Sequence, residues 1–147
     1  MGAVAGDGHQ KRIPRSEDMR HIAQGFVERV TVGRRLPLDF SVKSLRVVDF
    51  LVDEMRGGAV EEGLIARNLF GLGAYVGEVL VRNAGAEWVD LDEGERGYFR
   101  QWVGVRMGDG MLRSPLGKVG NRFEGGGEEE SLERYYLTLP GRVRVAA

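Results

Sequence analysis

Five residues carry side chains that could do chemistry if the fold gathered them: Tyr75, Glu78, Trp88, Trp102 and Arg106. A carboxylate, a phenol and a guanidinium can bind a ligand or move a proton when they converge on a cleft, and a tryptophan supplies the apolar wall. Glu78 leads the set because it sits inside an apolar run, between Gly77 and Val79. Its simplest role is a pair with Arg82, four residues on, at the edge of a helix face; such a pair contributes about 0.2–0.5 kcal/mol. The alternatives are a half-buried carboxylate under a cleft, or an acceptor for a structural hydrogen bond from a loop. Metal ligation and cofactor binding are not expected. The only histidines, His9 and His21, lie in an N-terminal tail and a first helix, and there is no cysteine. The chain lacks Walker A, HExxH and GxSxG patterns and a GxGxxG that opens a helix after a strand.

Other acidic residues read as solvated. Asp49 and Asp53 fall on the polar side of a helix beside Arg46, so an outward, solvent-facing pair is expected. Asp90, Asp92, Glu93 and Glu95 have oxygen-ligand chemistry but lack EF-hand spacing, so they read as an exposed acidic loop. Arg100, Arg106, Arg113, Lys118 and Arg122 are interleaved with Tyr98, Phe99 and Trp102, a mixture that can stack and neutralise a single nucleic-acid strand. Against that, the net charge is −1, from 21 basic and 22 acidic residues. No global field draws the chain to polyanions.

The elements that must position these residues centre on 61–83. Leu64, Ile65, Leu69, Leu72, Val76, Val79 and Leu80 recur at helical spacing, which predicts a long, largely buried helix. Gly71, Gly73 and Gly77 interrupt it, each costing about 1 kcal/mol against Ala; close approach of another element would explain them. Before it, Ser16 caps a helix carrying Met19, Ile22, Phe26 and Val30, ending near Gly33. Ser41 caps a second with Leu45, Val48, Val52 and Met55 on one stripe. After it, the period changes to alternation over Glu87–Leu91. A polar connection over Asp92–Gly97 follows, then an extended run from Tyr98 to Met107. Trp88 and Trp102 are expected to face each other across this pair. Gly108-Asp109-Gly110 predicts a tight hairpin with a short third strand at Met111–Leu112. Ser114-Pro115 starts a helix that Gly125-Gly126-Gly127 breaks. Glu128–Glu130 then open a last helix bearing Leu132, Tyr135, Tyr136 and Leu139.

The expected fold is therefore α+β, in the order α-α-α-β-β-(β)-α-α. It is a small two- to three-stranded antiparallel sheet with helices mainly on one face. One domain spans 16–140, between a mobile tail at 1–15 and a tail or short edge strand at 141–147. The 147 residues suffice for a sizeable core. No secretory signal and no uninterrupted apolar run of membrane-spanning length stands out, so a cytoplasmic location without membrane attachment is expected. Glycine, valine and arginine usage, with lysine only at Lys11, Lys43 and Lys118, points to a GC-rich bacterial source.

Two stretches, GLGAYVGEVLVRNAGAEWV at 71–89 and the SPLGKVGNRF and YY motifs within 110–136, resemble a family of small uncharacterised bacterial domains. These share a GxxxGEVL helix, a tryptophan strand, a Pro-started helix and a final tyrosine. The resemblance covers about residues 38–137. It implies a fold and no reaction. The function expected from the residues is a non-enzymatic protein-interaction module, of the adaptor, inhibitor or immunity type, with another protein as partner. A carboxylate-dependent enzyme or small-ligand binder with a cleft near Glu78 is the alternative. A weak single-strand nucleic-acid binder comes after it.

Overall fold

A computed structural model of the chain describes residues 13–58 and 60–142. The expectations for residues 1–12 and 143–147 lie outside them. Among the described residues there are six α-helices and a three-stranded antiparallel sheet, an α+β fold. The helices before the sheet are α1 (Met19–Val30), α2 (Leu45–Arg56) and α3 (Glu62–Ala84). Then come β1 (Glu87–Asp90), α4 (Glu93–Phe99), β2 (Val103–Arg106), β3 (Leu112–Arg113), α5 (Pro115–Gly125) and α6 (Leu132–Thr138).

The long helix α3 organises the rest. It ends at Gly85, whose left-handed φ of 71° lets the chain turn out of the helix. By length and composition α3 is apolar enough to cross a membrane. The fold instead uses its second half as core: residues 71–80 are buried without interruption, so the helix is enclosed all round. Its first two turns, against expectation, are mostly exposed. They extend beyond the elements that cover the second half. The three interior glycines are where those elements come close. A Cβ at Gly71 would overlap the Phe26 ring from α1, and one at Gly77 would overlap the Trp88 ring from β1. One at Gly73 would lie 2.9 Å from the Leu116 Cα in α5.

Helix α2 buries Leu45, Val48, Val52 and Met55, the expected stripe. Ser41 acts one turn earlier than expected: its Oγ accepts the Ser44 N–H at 3.2 Å and starts the tight turn that leads into α2. Ser16 does not cap α1. It lies in a 3₁₀ turn, Ser16–Asp18, and donates its N–H (2.8 Å) and Oγ (3.2 Å) to the Asp90 carboxylate at the end of β1.

The segment expected as a polar connection is the helix α4. Asp92 accepts the Glu95 N–H at 2.8 Å and Glu95 accepts the Asp92 N–H at 3.0 Å, a reciprocal capping box. The helix consumes Tyr98 and Phe99 and stops at Arg100, which has a left-handed φ of 58°. The extended run therefore starts only at Val103. In the register Trp88 lies opposite Val105. Trp102 precedes β2, so the two tryptophans are not cross-strand partners. The hairpin at 108–110 closes as expected: Gly110 (φ 85°) donates to the Met107 carbonyl at 2.9 Å, and β3 follows.

Ser114 caps α5 through the Gly117 N–H at 3.0 Å, with Pro115 in the first helical position. Residues Glu128–Glu130 form a separate 3₁₀ turn. Ser131 is the true cap of α6, accepting the Arg134 N–H at 3.1 Å. Leu132, Tyr136 and Leu139 are buried and Tyr135 packs against them.

The glycine contacts generate a paired prediction. Gly77→Leu should destabilise the protein by about 1–3 kcal/mol, because overpacking against Trp88 outweighs the better helix propensity. Gly120→Ala in α5, where an added Cβ meets nothing within 4 Å, should stabilise by up to about 1 kcal/mol. Urea unfolding of both variants checks this; equal and neutral effects would refute the close-approach account.

Candidate functional site

Glu78 is 1% exposed, not at the rim of the apolar face. Its Oε2 accepts from Arg82 Nε at 3.1 Å, the expected i,i+4 pair, and from Arg20 Nε of α1 at 3.3 Å. Its Oε1 accepts from the Trp88 indole N–H at 3.3 Å. One carboxylate therefore joins α1, α3 and β1. Arg20 reaches it from solvent with a side chain 66% exposed, so the cation keeps much of its hydration while the anion is enclosed.

Tyr75 lies one turn earlier on α3. Its hydroxyl accepts the Phe40 N–H at 2.8 Å and shares a hydrogen bond with Ser44 Oγ at 2.6 Å. Ser44 Oγ in turn donates to the Ser41 carbonyl. The phenol therefore donates to Ser44 and forms one link in a directed chain. Burial pushes its pKa up, against the N–H bond donated by Phe40. Phe40 itself has a φ of 64°, a strained value for a bulky residue. It is held there from several sides. Its ring stacks on Tyr75 with centroids 4.6 Å apart, Arg82 lies 3.9 Å from its centroid, and Asn83 Nδ2 donates to its carbonyl at 2.8 Å.

The structure thus joins Glu78 and Trp88 directly, places Tyr75 one turn away on α3 in a separate hydrogen-bond chain, and leaves the other two candidates apart from both. Trp102 is 47% exposed, with the Arg96 guanidinium 5.1 Å from its ring centroid. Arg106 is exposed and donates to the Gly110 carbonyl at 3.3 Å.

Asp49 is not a solvated residue. Its carboxylate accepts from Arg122 Nε at 3.0 Å and from the Leu132 N–H at 2.9 Å. It thereby ties α2 to α5 and to the start of α6. Asp53 stays exposed and pairs with the same arginine at 3.0 Å, while Arg46 pairs with Glu133 at 2.9 Å. The acidic loop is likewise structural in part: Asp90 holds Ser16, and Asp92 with Glu95 caps α4. Among the described residues no group of three or more His, Asp or Glu is placed to hold a metal.

Open space lies elsewhere. A groove of about 820 Å³ runs between α4, the β2–β3 hairpin and α5, with Tyr135 of α6 also in its lining. Arg106, Arg113 and Lys118 line it with Tyr98, Phe99 and Met111, and Glu95 is its one acidic wall residue. Tyr98 is 82% and Met111 54% exposed. The sequence marked the three cations and the two α4 aromatics. It gave no sign of Tyr135 or Met111, which reach the groove only through the packing of α6 and the hairpin. Arg122, grouped with those cations in the sequence, belongs to the Asp49 tie. A smaller pocket of about 230 Å³ lies between α1, α2 and α3, walled by Phe26, Val30, Leu51, Met55 and Leu72. The Arg34–Glu54 pair also lines it. Neither space is lined by Tyr75, Glu78 or Trp88.

Two measurements follow from this geometry. Glu78→Gln keeps one acceptor but removes the charge that Arg20 and Arg82 share, and should cost about 1–3 kcal/mol in urea unfolding; a neutral result would show the tie to be slack. Burial also raises the Tyr135 phenol to about 12 from an ordinary 10.0. In that window the unfolded chain ionises and the folded one does not. Stability is therefore complete below pH 10 and falls toward pH 12, by roughly 2 kcal/mol from this residue. Tyr135→Phe should flatten that part of the wild-type slope, and an unchanged slope would refute the assignment.

Compared with known proteins, the chain matches no family model, no curated protein and no solved structure, so the reading of its function rests on its own residues.

Proposed function

We propose that the protein is a non-enzymatic interaction module whose partner is another protein. One observation carries this reading. Two exposed apolar side chains, Tyr98 of α4 and Met111 of the β2–β3 hairpin, line the open groove of about 820 Å³. The side chains best suited to catalysis, Tyr75 and Glu78, are enclosed in hydrogen bonds of the core. Exposed aromatic and methionine side chains beside arginine are the composition that interface cores favour. Their exposure also means that docking would remove them from water without unfolding anything.

A second reading draws on a separate feature. The pocket of about 230 Å³ between α1, α2 and α3 has a mainly aliphatic and aromatic wall, which suits a small apolar ligand. It supports the small-ligand alternative at a place remote from Glu78.

The double variant Tyr98→Ala with Met111→Ala separates the two. Both residues are exposed, so it should melt within a few degrees of wild type. Affinity capture from the native host followed by purification of the bound protein should give a partner that wild type binds and the double variant loses. Retention of that partner by the double variant would overturn the groove as the interface. Stabilisation by small apolar compounds, abolished by Leu51→Trp in the pocket wall, would instead favour the ligand reading.

A further inference from the structure

The groove has a directional feature that its apolar lining does not explain: it follows the open edge of the sheet. Among the described residues the strand order is β1-β2-β3, so β3 is the edge strand there, and residues 110–114 all line the groove. Two arginines stand near that edge on opposite faces, Arg113 on β3 itself and Arg106 on the adjacent β2. Val105 is fully buried and pairs with Arg113, while Arg106 pairs with Leu112. Paired residues share a face of the sheet and successive residues alternate. Arg113 therefore leaves β3 on the helix-packed face, and Arg106, one strand in, shares the outer face with Leu112.

Neither arginine has an ion-pair partner among the described residues. Arg106 makes a single hydrogen bond, to the Gly110 carbonyl, although Glu87 lies across the ladder from it. Arg113 Nε is buried with no acceptor at all. The third cation, Lys118, is already paired with Glu130 at 2.6 Å. Glu95 contributes one negative charge to the groove wall.

We infer that the open edge of β3 is the docking line for an extended acidic segment of a partner protein. The segment adds to the sheet as a further strand and directs adjacent carboxylates to Arg106 and Arg113. This deepens the interaction-module reading and rests on it. The geometry matches the chemistry at two levels. An added strand takes its affinity from main-chain hydrogen bonds to an unpaired edge. Its successive side chains point to opposite faces, and that is how the two guanidiniums are arranged. Tyr98 and Met111 then cover apolar side chains of the same segment. A nucleic-acid strand fits less well. Its affinity grows with the number of phosphates neutralised, and among the described lining residues only Arg106 and Arg113 are cations without a carboxylate partner.

The test uses the full chain and fluorescein-labelled short peptides of alternating Thr and Val with one central Glu-Glu pair. Anisotropy should show saturable binding. Replacing the pair by Gln-Gln should weaken it by about tenfold or more, and so should Arg106→Glu, an exposed site that does not threaten folding. Replacing one Glu of the peptide by Lys should restore binding to the Arg106→Glu protein. Backbone N-methylation of the peptide should abolish binding, and the Leu112 and Arg113 amides should shift in NMR spectra. The inference is overturned if none of the acidic peptides binds, if Arg106→Glu or N-methylation leaves binding unchanged, or if labelled oligouridine binds more tightly than the peptides. If the captured partner is lost by Tyr98→Ala with Met111→Ala but kept by Arg106→Glu, the module reading stands and the acidic-strand inference falls. If both variants keep it, the groove is not the interface.

Discussion

The fold depends on how closely three elements approach α3. Gly71 and Gly73 are two residues apart, about 200° around the helix, so Phe26 and Leu116 arrive on opposite sides. Gly77 admits Trp88 a further turn along. Three interior glycines sacrifice roughly 3 kcal/mol of helix propensity. Each admits a large side chain whose burial contributes about 1.5–3 kcal/mol, so the exchange favours the packed state. It also fixes architecture. A helix enclosed on every side over 71–80 cannot slide along its neighbours, because each glycine accepts one specific ring or branched side chain.

Glu78 sits within that enclosed stretch, and its charge does what the apolar contacts cannot. Apolar packing is non-directional, whereas the carboxylate fixes orientation through three donors from three elements. Enclosing an anion is costly unless its oxygens are taken up. Here the cost is moderated by asymmetry: the anion is buried, while Arg20 reaches out to water. Arg82 is shared between Glu78 and the Phe40 ring. The strained backbone at Phe40 is held by Tyr75, Arg82 and Asn83, so the α1–α2 connection is anchored to the same face of α3 that carries the carboxylate.

The sequence made visible whatever is local. The stripe of α2, the long helix, the Ser114-Pro115 start and the Gly110 hairpin all depend on residues within a few positions of one another. The Asp92–Glu95 box was local too, but six charged or glycine residues in a row, Asp92–Gly97, hid it, because a solvated loop has the same composition. What could not be read were partners far along the chain. Asp49 faces Arg122 and the Leu132 N–H, 73 and 83 residues away, and nothing in its helical spacing distinguishes such a residue from a solvated one. Ser16 looked like a cap because Glu17 and Asp18 follow it, yet Asp90 claimed both its donors. Of the candidate site, the proximity of Glu78 to Arg82 was legible and that of Trp88 was not, since it requires β1 to fold back along α3.

The same long-range ordering explains why one sheet edge is left open. The β1 edge is covered at its end by the Ser16 turn, which holds Asp90. At the opposite edge no described strand pairs with β3, whose two residues lead at once to Ser114 and the start of α5 at Pro115. An unpaired edge invites pairing with another copy of itself. Arg113 on one face of β3, and Arg106 beside Leu112 on the other, oppose that outcome, because a second copy brings the same charges against them. Their repulsion vanishes, and becomes attraction, when the incoming strand carries carboxylates. On the proposed reading, this one pair of residues would guard the edge against self-association and, in doing so, define the charge of what it accepts.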